Sequence, residues 1–222
     1  MAGRRRRRAG RSGDVAKSLL GLRVYSYIID HDLGFAPNPF HGVCTLAACK
    51  PQIRKSARIG DIVIGTGSRP NGLEGRLSYW MRVTRITTFT DYWFAPEFRA
   101  KRPRMNGSRM LRHGDNIYHR DPDTGIWMQA DSFHSAADGS ISPPNLRRDT
   151  GTTERVLIGD EFAYWGGEGP PIPASLSDFV HTTQGHRCRF PPDRVERFLA
   201  WLVELPRPEF LGRPANWPEA KA

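Results

Sequence analysis

Apolar and polar positions along residues 58–89 predict two neighbouring strands. Residues 62–64 form a continuous apolar run, which is typical of a short buried strand. Residues 76–83 alternate between apolar and polar side chains, with Trp80 on the mainly polar face. A glycine-rich turn at 65–68 separates the two runs and lets the backbone approach a ligand. The pattern predicts a small curled sheet with a large aromatic ring beside this turn.

Further elements follow from periodicity and turn residues elsewhere in the chain. They are a central strand at 22–29, one or two helical turns at 45–57, a short helix from Pro96, a hairpin across 116–129, and a strand pair at 154–165 joined at Gly159–Asp160. The clearest helix is predicted at 192–205. Its apolar positions recur at i, i+3, i+4 and i+7, namely Val195, Phe198, Leu199 and Leu202, and Pro206 ends it.

The domain organisation follows from length and composition. With 222 residues and 38% hydrophobic content, the chain is long enough for one good core. A single domain is expected over 22–205, preceded by a disordered basic tail at 1–21 and followed by a loosely held Pro-rich arm at 206–222. The fold class is predicted to be α+β, with a curled mixed sheet, peripheral helices and a long loop-rich insertion at 104–149.

Charge and targeting signals indicate what the basic tail binds and where in the cell the protein is located. Arg4–Arg8 and Arg11 supply six of the ten net positive charges, so much of the basic character lies in the tail. The tail either binds phosphates non-specifically or reflects an over-extended translation start. Apolar runs fall well short of the roughly 20 residues that span a bilayer, and the patch at 18–22 is too short for a signal peptide. A cytoplasmic protein without membrane partners is expected.

Histidines and carboxylates recur in several polar segments and are candidates for acid–base chemistry. The catalytic candidates are Asp30, His119, Asp131, His134 and His186. In this hypothesis Asp30 or Asp131 pairs with one of the histidines, although sequence spacing alone does not bring them together.

Metal and cysteine chemistry are less favoured by the sequence. His41, Cys44, Cys49, His186 and Cys188 have irregular spacing, unlike the paired ligands of structural zinc sites. Cys49 precedes Lys50, but a cysteine within an apolar run is more often simply buried. Phosphate-loop, dinucleotide-binding and nucleophile-elbow motifs are absent from the sequence. Neither a metal nor a cofactor is expected.

Aromatic residues next to polar groups and glycine turns predict a pocket for a planar ligand, since bases stack on such rings. The predicted ligand-binding residues are Phe35, Asn38, Phe40, Thr66, Gly67, Ser68, Trp80 and Tyr118. Trp80 and an aromatic residue of the 35–40 loop would stack on the base. Lys50, Arg54 and Arg76 would meet phosphate.

Several longer segments carry a family resemblance. They read YSYIIDHDLGFAPNPFHGVCTLAACKP, IGDIVIGTGS, GRLSYWMRVT, GDNIYHRD, QADSFHS, RVLIGDEFAYWGG and GHRCRF. Over roughly Arg23 to Leu205 the chain resembles the nucleotide modification associated domain, second type. The resemblance implies association with phage and bacterial systems that modify or restrict DNA bases, including phage defence and a possible partner in a DNA-modification or restriction enzyme.

A weaker likeness, over the first half of the chain, is to the EVE and YTH modules of the PUA-like class. It implies a small curled barrel that binds a modified base in an aromatic-walled pocket. Our hypothesis is therefore recognition of a modified base or nucleotide in DNA or RNA. The alternatives are an enzyme that acts on a base or nucleotide by His/Asp acid–base chemistry, and a structural subunit that docks on a partner enzyme.

Overall fold

The computed structural model describes residues 22–206 and 210–217. The predicted basic tail at 1–21 lies outside the described residues, as do parts of the predicted C-terminal arm. Within the described chain, no helix combines the length and apolar character needed to cross a bilayer.

Strands and short helices alternate along the chain. The strands are β1 (Val24–Ile29), β2 (Cys44–Leu46), β3 (Ile62–Gly67), β4 (Leu77–Arg82), β5 (Arg85–Thr88), β6 (Tyr118–Arg120), β7 (Trp127–Gln129), β8 (Arg155–Gly159) and β9 (Glu161–Tyr164). The α-helices are α1 (Pro51–Ser56), α2 (Phe89–Phe94), α3 (Arg109–Arg112), α4 (Pro143–Thr150) and α5 (Pro192–Glu204), and 3₁₀ turns lie at Pro96–Lys101, Gly166–Glu168 and Ala174–Phe179.

The strands form three sheets, with the orders β1-β3-β4-β9, β2-β8-β5 and β6-β7. β1 runs parallel to β3, with Val24 opposite Ile62, and β3 and β4 are antiparallel. The strand predicted at 22–29 is present but lies at one end of its sheet rather than in the centre. It is nevertheless fully buried, and its outer edge is capped by a bridge between Ser26 and Arg187.

The predicted strand pair at 154–165 is wrong in its pairing. β8 pairs with β2 and β5, whereas β9 pairs with β4 in the other sheet. The chain changes sheets at Gly159, where an added Cβ would lie 2.7 Å from the carbonyl oxygen of Arg82. Glycine permits this close approach of two backbones, and the corner sends consecutive strands to different partners.

These arrangements confirm a mixed α and β composition, and the hairpin predicted across 116–129 is present as β6 and β7. None of the sheets formed by the described residues closes into a barrel. The sheets are therefore open, in contrast to the small curled barrel that the PUA-like resemblance implies. The PUA-like assignment stays a prediction.

Helix α5 covers one face of the larger sheet. Its stripe of Val195, Phe198, Leu199 and Leu202 is buried, as the periodicity predicts. The same hydrophobic cluster contains Trp80, which is 4% exposed. The face of β4 expected to be polar and open thus belongs to a buried cluster, and the Trp80 ring is buried there together with the stripe of α5.

The segment 45–57, predicted as helical turns, is helical only at Pro51–Ser56. Residues 44–46 pair with β8 instead. Between strand and helix, Cys49 and Lys50 adopt left-handed backbone conformations with φ of 57° and 41°. Non-glycine residues rarely occupy this region, so the chain here is held in shape by its surroundings.

The described part of the C-terminal segment packs on the domain. Asn216 and Ala215 bond to Asp32, and the indole nitrogen of Trp217 donates to the carbonyl of Leu33 at 2.9 Å. The Trp217 ring also stacks on Phe40. Residues 210–217 therefore support the loop that follows β1.

Candidate functional site

A cleft opens at the C-terminal end of β1 and has a cavity volume of about 560 Å³. Its walls come from the loop after β1, the turn before α1, the loop before α4, and α4 itself. The lining residues are Tyr27, Ile28, Ile29, Asp30, His31, Leu33, Phe35, Ala36, Cys49, Lys50, Phe133, His134, Asn145, Arg148 and Gln184. Volumes of this size are usual for sites that hold small molecules or cofactors.

Three side chains at the base of the cleft form a connected row. The Cys49 sulfur lies 3.7 Å from Nε2 of His134, and Nδ1 of His134 lies 2.9 Å from Oδ2 of Asp149. A carboxylate at Nδ1 accepts a hydrogen bond from that nitrogen and leaves Nε2 facing the thiol. This is the arrangement of nucleophile, base and orienting acid.

Asp149 is fully buried and accepts several hydrogen bonds. Its oxygens accept from the Tyr118 hydroxyl at 2.9 Å, from Nε of Arg148 at 3.0 Å and from the backbone N–H of Cys49 at 3.0 Å, besides His134. Burial raises the pKa of this carboxyl, but the hydrogen bonds and charges of His134 and Arg148 outweigh burial and hold the pKa at about 2. Asp149 is thus a permanent anion at neutral pH.

For Cys49 and for the neighbouring Lys50, burial is the largest influence on the pKa and is not outweighed by partners. It raises the pKa of the Cys49 thiol to about 11, with a further contribution from the nearby Asp149 charge. The thiol is therefore protonated at neutral pH. Burial also lowers the pKa of Lys50, whose ammonium lies 4.6 Å from the centre of the Tyr27 ring.

The cleft also offers an aromatic surface and two cationic groups. Phe133 is 51% exposed, while Phe35 is buried behind it with the ring centres 5.8 Å apart. Lys50 and Arg148 contribute positive charge to the same walls, and the Arg148 side chain is 45% exposed. A ring with cations nearby suits a ligand with a planar base and phosphate.

Cys49, His134 and Asp149 also have the chemical types of metal ligands, with one ligand atom from each within 4.8 Å of the others. Both oxygens of Asp149 already accept buried hydrogen bonds, and the Arg148 guanidinium lies against the group. A cation would have to displace these donors and sit beside a positive charge. The chemistry of the donors therefore does not favour a metal here.

The structure separates the predicted catalytic residues. Asp30 and His134 line the cleft, but His134 pairs with Asp149 and not with Asp30 or Asp131. His119 stacks on Trp93 with ring centres 4.2 Å apart, and His186 packs against Tyr25. Asp131 is exposed outside the cleft lining. The five candidates therefore do not converge on one site.

Most of the predicted ligand-binding residues have structural partners. Phe35 lines the cleft, and Tyr118 lies behind it through Asp149. Asn38, Phe40, Thr66, Gly67, Ser68 and Trp80 are buried outside the cleft lining. For example, Asn38 donates to the carbonyls of Gly34 and His113, and Thr66 donates to that of His181. Residues 65–67, predicted as a glycine-rich turn, instead belong to β3, and the segment 65–68 does not form a wall of this cleft.

Of the three predicted phosphate-binding residues, one lines the cleft and two lie outside its lining. Lys50 lines the cleft. Arg54 is completely buried and donates to the carbonyl oxygens of Cys49, Arg155 and Asp149, which leaves no place for phosphate. Arg76 is exposed but bonds to the carbonyl of Gly169 outside the cleft lining.

Sequence reasoning missed Phe133, Arg148 and Asp149, and it set aside Cys49. Cys49 and His134 are 85 positions apart, and Cys49 and Asp149 are 100 positions apart. No local motif spans such distances. A partial signal is the change from the apolar run TLAAC to Lys-Pro at the start of a helix, which marks a sharp turn at Cys49.

Comparison with known proteins places the chain in a family. Nucleotide modification associated domain 2 matches residues 22–221, a range that includes the C-terminal segment which the sequence resemblance was expected to leave out. No curated protein and no solved structure matches the chain. Because the match covers most of the chain, this protein belongs to the family of nucleotide modification associated domain 2.

Proposed function

We propose that the cleft binds a modified base or nucleotide, in the context of bacterial or phage DNA modification. One observation carries the proposal: the half-exposed ring of Phe133 shares a cleft with the cations Lys50 and Arg148. Membership in a nucleotide-modification family supports the choice of ligand class.

Each part of the ligand has a place in the cleft. The base stacks on Phe133, whose other contacts are to Phe35, His113 and His134 at ring distances of 5.8 to 6.0 Å. The exposed amide of Gln184 at the rim offers a donor and an acceptor for the edge of the base. Lys50 and Arg148 meet the phosphate. This role for Phe133 replaces the one expected for Trp80.

Binding of short oligonucleotides and of free mononucleotides, each with and without base modifications, tests the proposal by fluorescence anisotropy or calorimetry. Phe133→Ala is expected to weaken binding about tenfold, since stacking contributes on the order of 1 to 3 kcal/mol per base. Phe94→Ala is the matched control, because Phe94 is equally exposed at 51% but lies outside the cleft lining. Equal losses in both variants, or equal affinity for modified and plain ligands, would contradict the proposal.

A second variant tests whether the Lys50 ammonium contacts the phosphate of the ligand. Lys50→Met is expected to weaken binding to all sequences and to reduce the slope of log affinity against log salt by about 1. Lys55→Met, a change at an exposed lysine outside the cleft, is expected to leave the slope unchanged. An unchanged slope in Lys50→Met would remove the phosphate contact.

The second candidate function is an enzyme that acts on the base or nucleotide by His/Asp acid–base chemistry. The hydrogen bond from the cleft residue His134 to the buried Asp149 favours it. Incubating the protein with modified DNA and analysing the nucleosides by mass spectrometry distinguishes the two functions. A change in nucleoside mass that disappears in His134→Gln supports an enzyme, and unchanged nucleosides support recognition alone.

A further inference from the structure

The imidazole of His134 is fixed on several sides. Its backbone carbonyl accepts hydrogen bonds from the side-chain amides of Gln129 and Asn145, both at 2.8 Å. The Phe35 ring meets it edge to face, with ring centres 4.5 Å apart. A histidine held by its carbonyl, by an aromatic ring and by Asp149 has little freedom to turn away from Cys49.

Arg148 covers a face of this imidazole. Nη2 of Arg148 lies 3.1 Å from Nδ1 and 3.3 Å from Nε2 of His134. A nitrogen in the ring plane at these two distances would overlap Cε1, so it lies over the ring. Arg148 therefore does not occupy the in-plane position at Nε2, which stays available to the Cys49 sulfur 3.7 Å away.

The backbone of Cys49 is held equally firmly. Its N–H donates to Asp149, and its carbonyl accepts from Nε of Arg54 at 2.9 Å. Both contacts hold the left-handed conformation of Cys49, which costs energy for a residue with a side chain. The result is a partly buried thiol at the floor of the cleft, next to a base with a defined tautomer.

We infer that Cys49 is a catalytic nucleophile, that His134 is its general base and Asp149 orients His134, and that the ligand carries an acyl group on a base or nucleotide. This inference rests on the proposed binding function of the cleft. The combination of a neutral thiol, an oriented imidazole and a carboxylate is suited to acyl transfer. Lys50 and Arg148 line the same cleft as Cys49 and supply positive charge for the developing oxyanion.

The reaction balances with water as the second substrate. The thiol proton passes to Nε2 of His134 as the sulfur attacks the acyl carbon. His134 then returns this proton to the departing nitrogen or oxygen of the base or nucleotide, which leaves a thioester at Cys49. Water attacks the thioester and gives its proton to His134, which passes it to the departing sulfur. The products are the deacylated base or nucleotide and a carboxylic acid.

Reaction of the full-length protein with p-nitrophenyl acetate tests the nucleophile. Mass spectrometry of the peptides is expected to find an acetyl group on Cys49, formed as p-nitrophenol is released, and slow hydrolysis of this thioester then releases acetate. His134→Gln is expected to slow acetylation about 100-fold. Cys188→Ser is the matched control, because Cys188 is also half-buried but lies outside the cleft lining, and it is expected to react as the wild type does.

The pH dependence of Cys49 acetylation is measured on the wild-type protein, so its outcome does not depend on whether His134→Gln folds. With a general base in place, the rate of Cys49 acetylation is expected to level off well below the pKa of the thiol. A thiol that reacts without a base becomes faster up to its own pKa of about 11. A rate that climbs toward that pH would overturn the inference, as would acetylation confined to Cys188 or no acetylation at all. Stoichiometric zinc bound in a Cys49-dependent manner would also overturn it.

The binding measurements separate failure of this inference from failure of the proposed function. Oligonucleotide or nucleotide binding without acetylation of Cys49 would remove the nucleophile and leave the binding function standing. Acetylation of Cys49 without any such binding would keep the nucleophile and remove the nucleotide as its ligand.

Discussion

The backbone N–H of Cys49 donates to Oδ1 of Asp149 at 3.0 Å, across 100 positions of sequence. The same carboxylate accepts from Nδ1 of His134 through its other oxygen. One residue at the end of α4 therefore fixes both the chain that carries the thiol and the ring that faces it. The geometry of the cleft depends on this buried anion, and the stability of the fold depends on it as well.

Replacing Asp149 with asparagine is expected to destabilise the protein by about 3 kcal/mol, because it leaves the cation of Arg148 without its partner and a buried network unsatisfied. Urea unfolding measures the free energy change. Asp123→Asn, at an exposed site, is the control and is expected to change stability by less than about 0.5 kcal/mol. Similar values for both variants would contradict the importance of the buried carboxylate.

The lowered pKa of the Asp149 carboxyl also predicts that the free energy of unfolding depends on pH. Its pKa is about 2 in the folded protein and about 3.9 in an unfolded chain. A carboxyl with a lowered folded pKa contributes stability above about pH 4, and this contribution is lost as the pH falls toward 2. The stability difference between wild type and Asp149→Asn is expected to shrink by about 2 kcal/mol between pH 5 and pH 2. A constant difference in urea unfolding over this range would refute the assignment.

Arg54 is expected to resist even a conservative change. Its buried guanidinium donates to three carbonyl oxygens, including that of Cys49, and a lysine ammonium cannot reproduce the fork of donors. Arg54→Lys is expected to cost about 2 kcal/mol in chemical denaturation. Arg58→Lys, at an exposed arginine, serves as the control and is expected to be neutral. A neutral Arg54→Lys would mean that the carbonyls find other donors.

A second buried cation lies away from the cleft. Nζ of Lys101 donates to Oδ1 of Asn38 at 2.8 Å and to the carbonyl oxygen of Val43 at 2.9 Å. It also donates to Oγ1 of Thr45, which in turn donates to the carboxylate of Asp115. Lys101→Met is expected to destabilise by about 3 kcal/mol, since the buried Asp115 loses its compensating charge. Lys55→Met provides the exposed comparison, and thermal unfolding of both variants decides the outcome. Equal unfolding temperatures would argue that Asp115 is neutral in the fold.

The C-terminal segment is expected to control the order of the loop after β1. Trp217→Ala removes the hydrogen bond to Leu33 and the stack on Phe40, at a cost of about 2 kcal/mol. Hydrogen exchange of residues 30–36 should become faster in this variant and remain unchanged in Phe94→Ala. Unaltered exchange would show that the loop holds its shape without the segment.

Local patterns predicted several elements correctly. The apolar run at 62–64, the alternation at 77–82 and the stripe of α5 depend on neighbours a few positions away, and such neighbours set secondary structure directly. The turn at 121–125 likewise predicted the hairpin of β6 and β7. The sequence predicted four cleft residues one by one, because charged, aromatic or titratable side chains in loops are typical of binding sites. They are Asp30, Phe35, Lys50 and His134.

The sequence by itself determined most strands, though not β2 and β5, and it determined the long C-terminal helix and the family, because each of these depends on short runs of side chains. The tertiary structure alone decided that Trp80 is buried in one cluster with the stripe of α5 and that Cys49 meets His134 and Asp149. Sheet pairing and the corner at Gly159 decide which loops become neighbours, and these pairings join segments far apart in the chain. A site assembled from such loops leaves no periodic trace in the sequence.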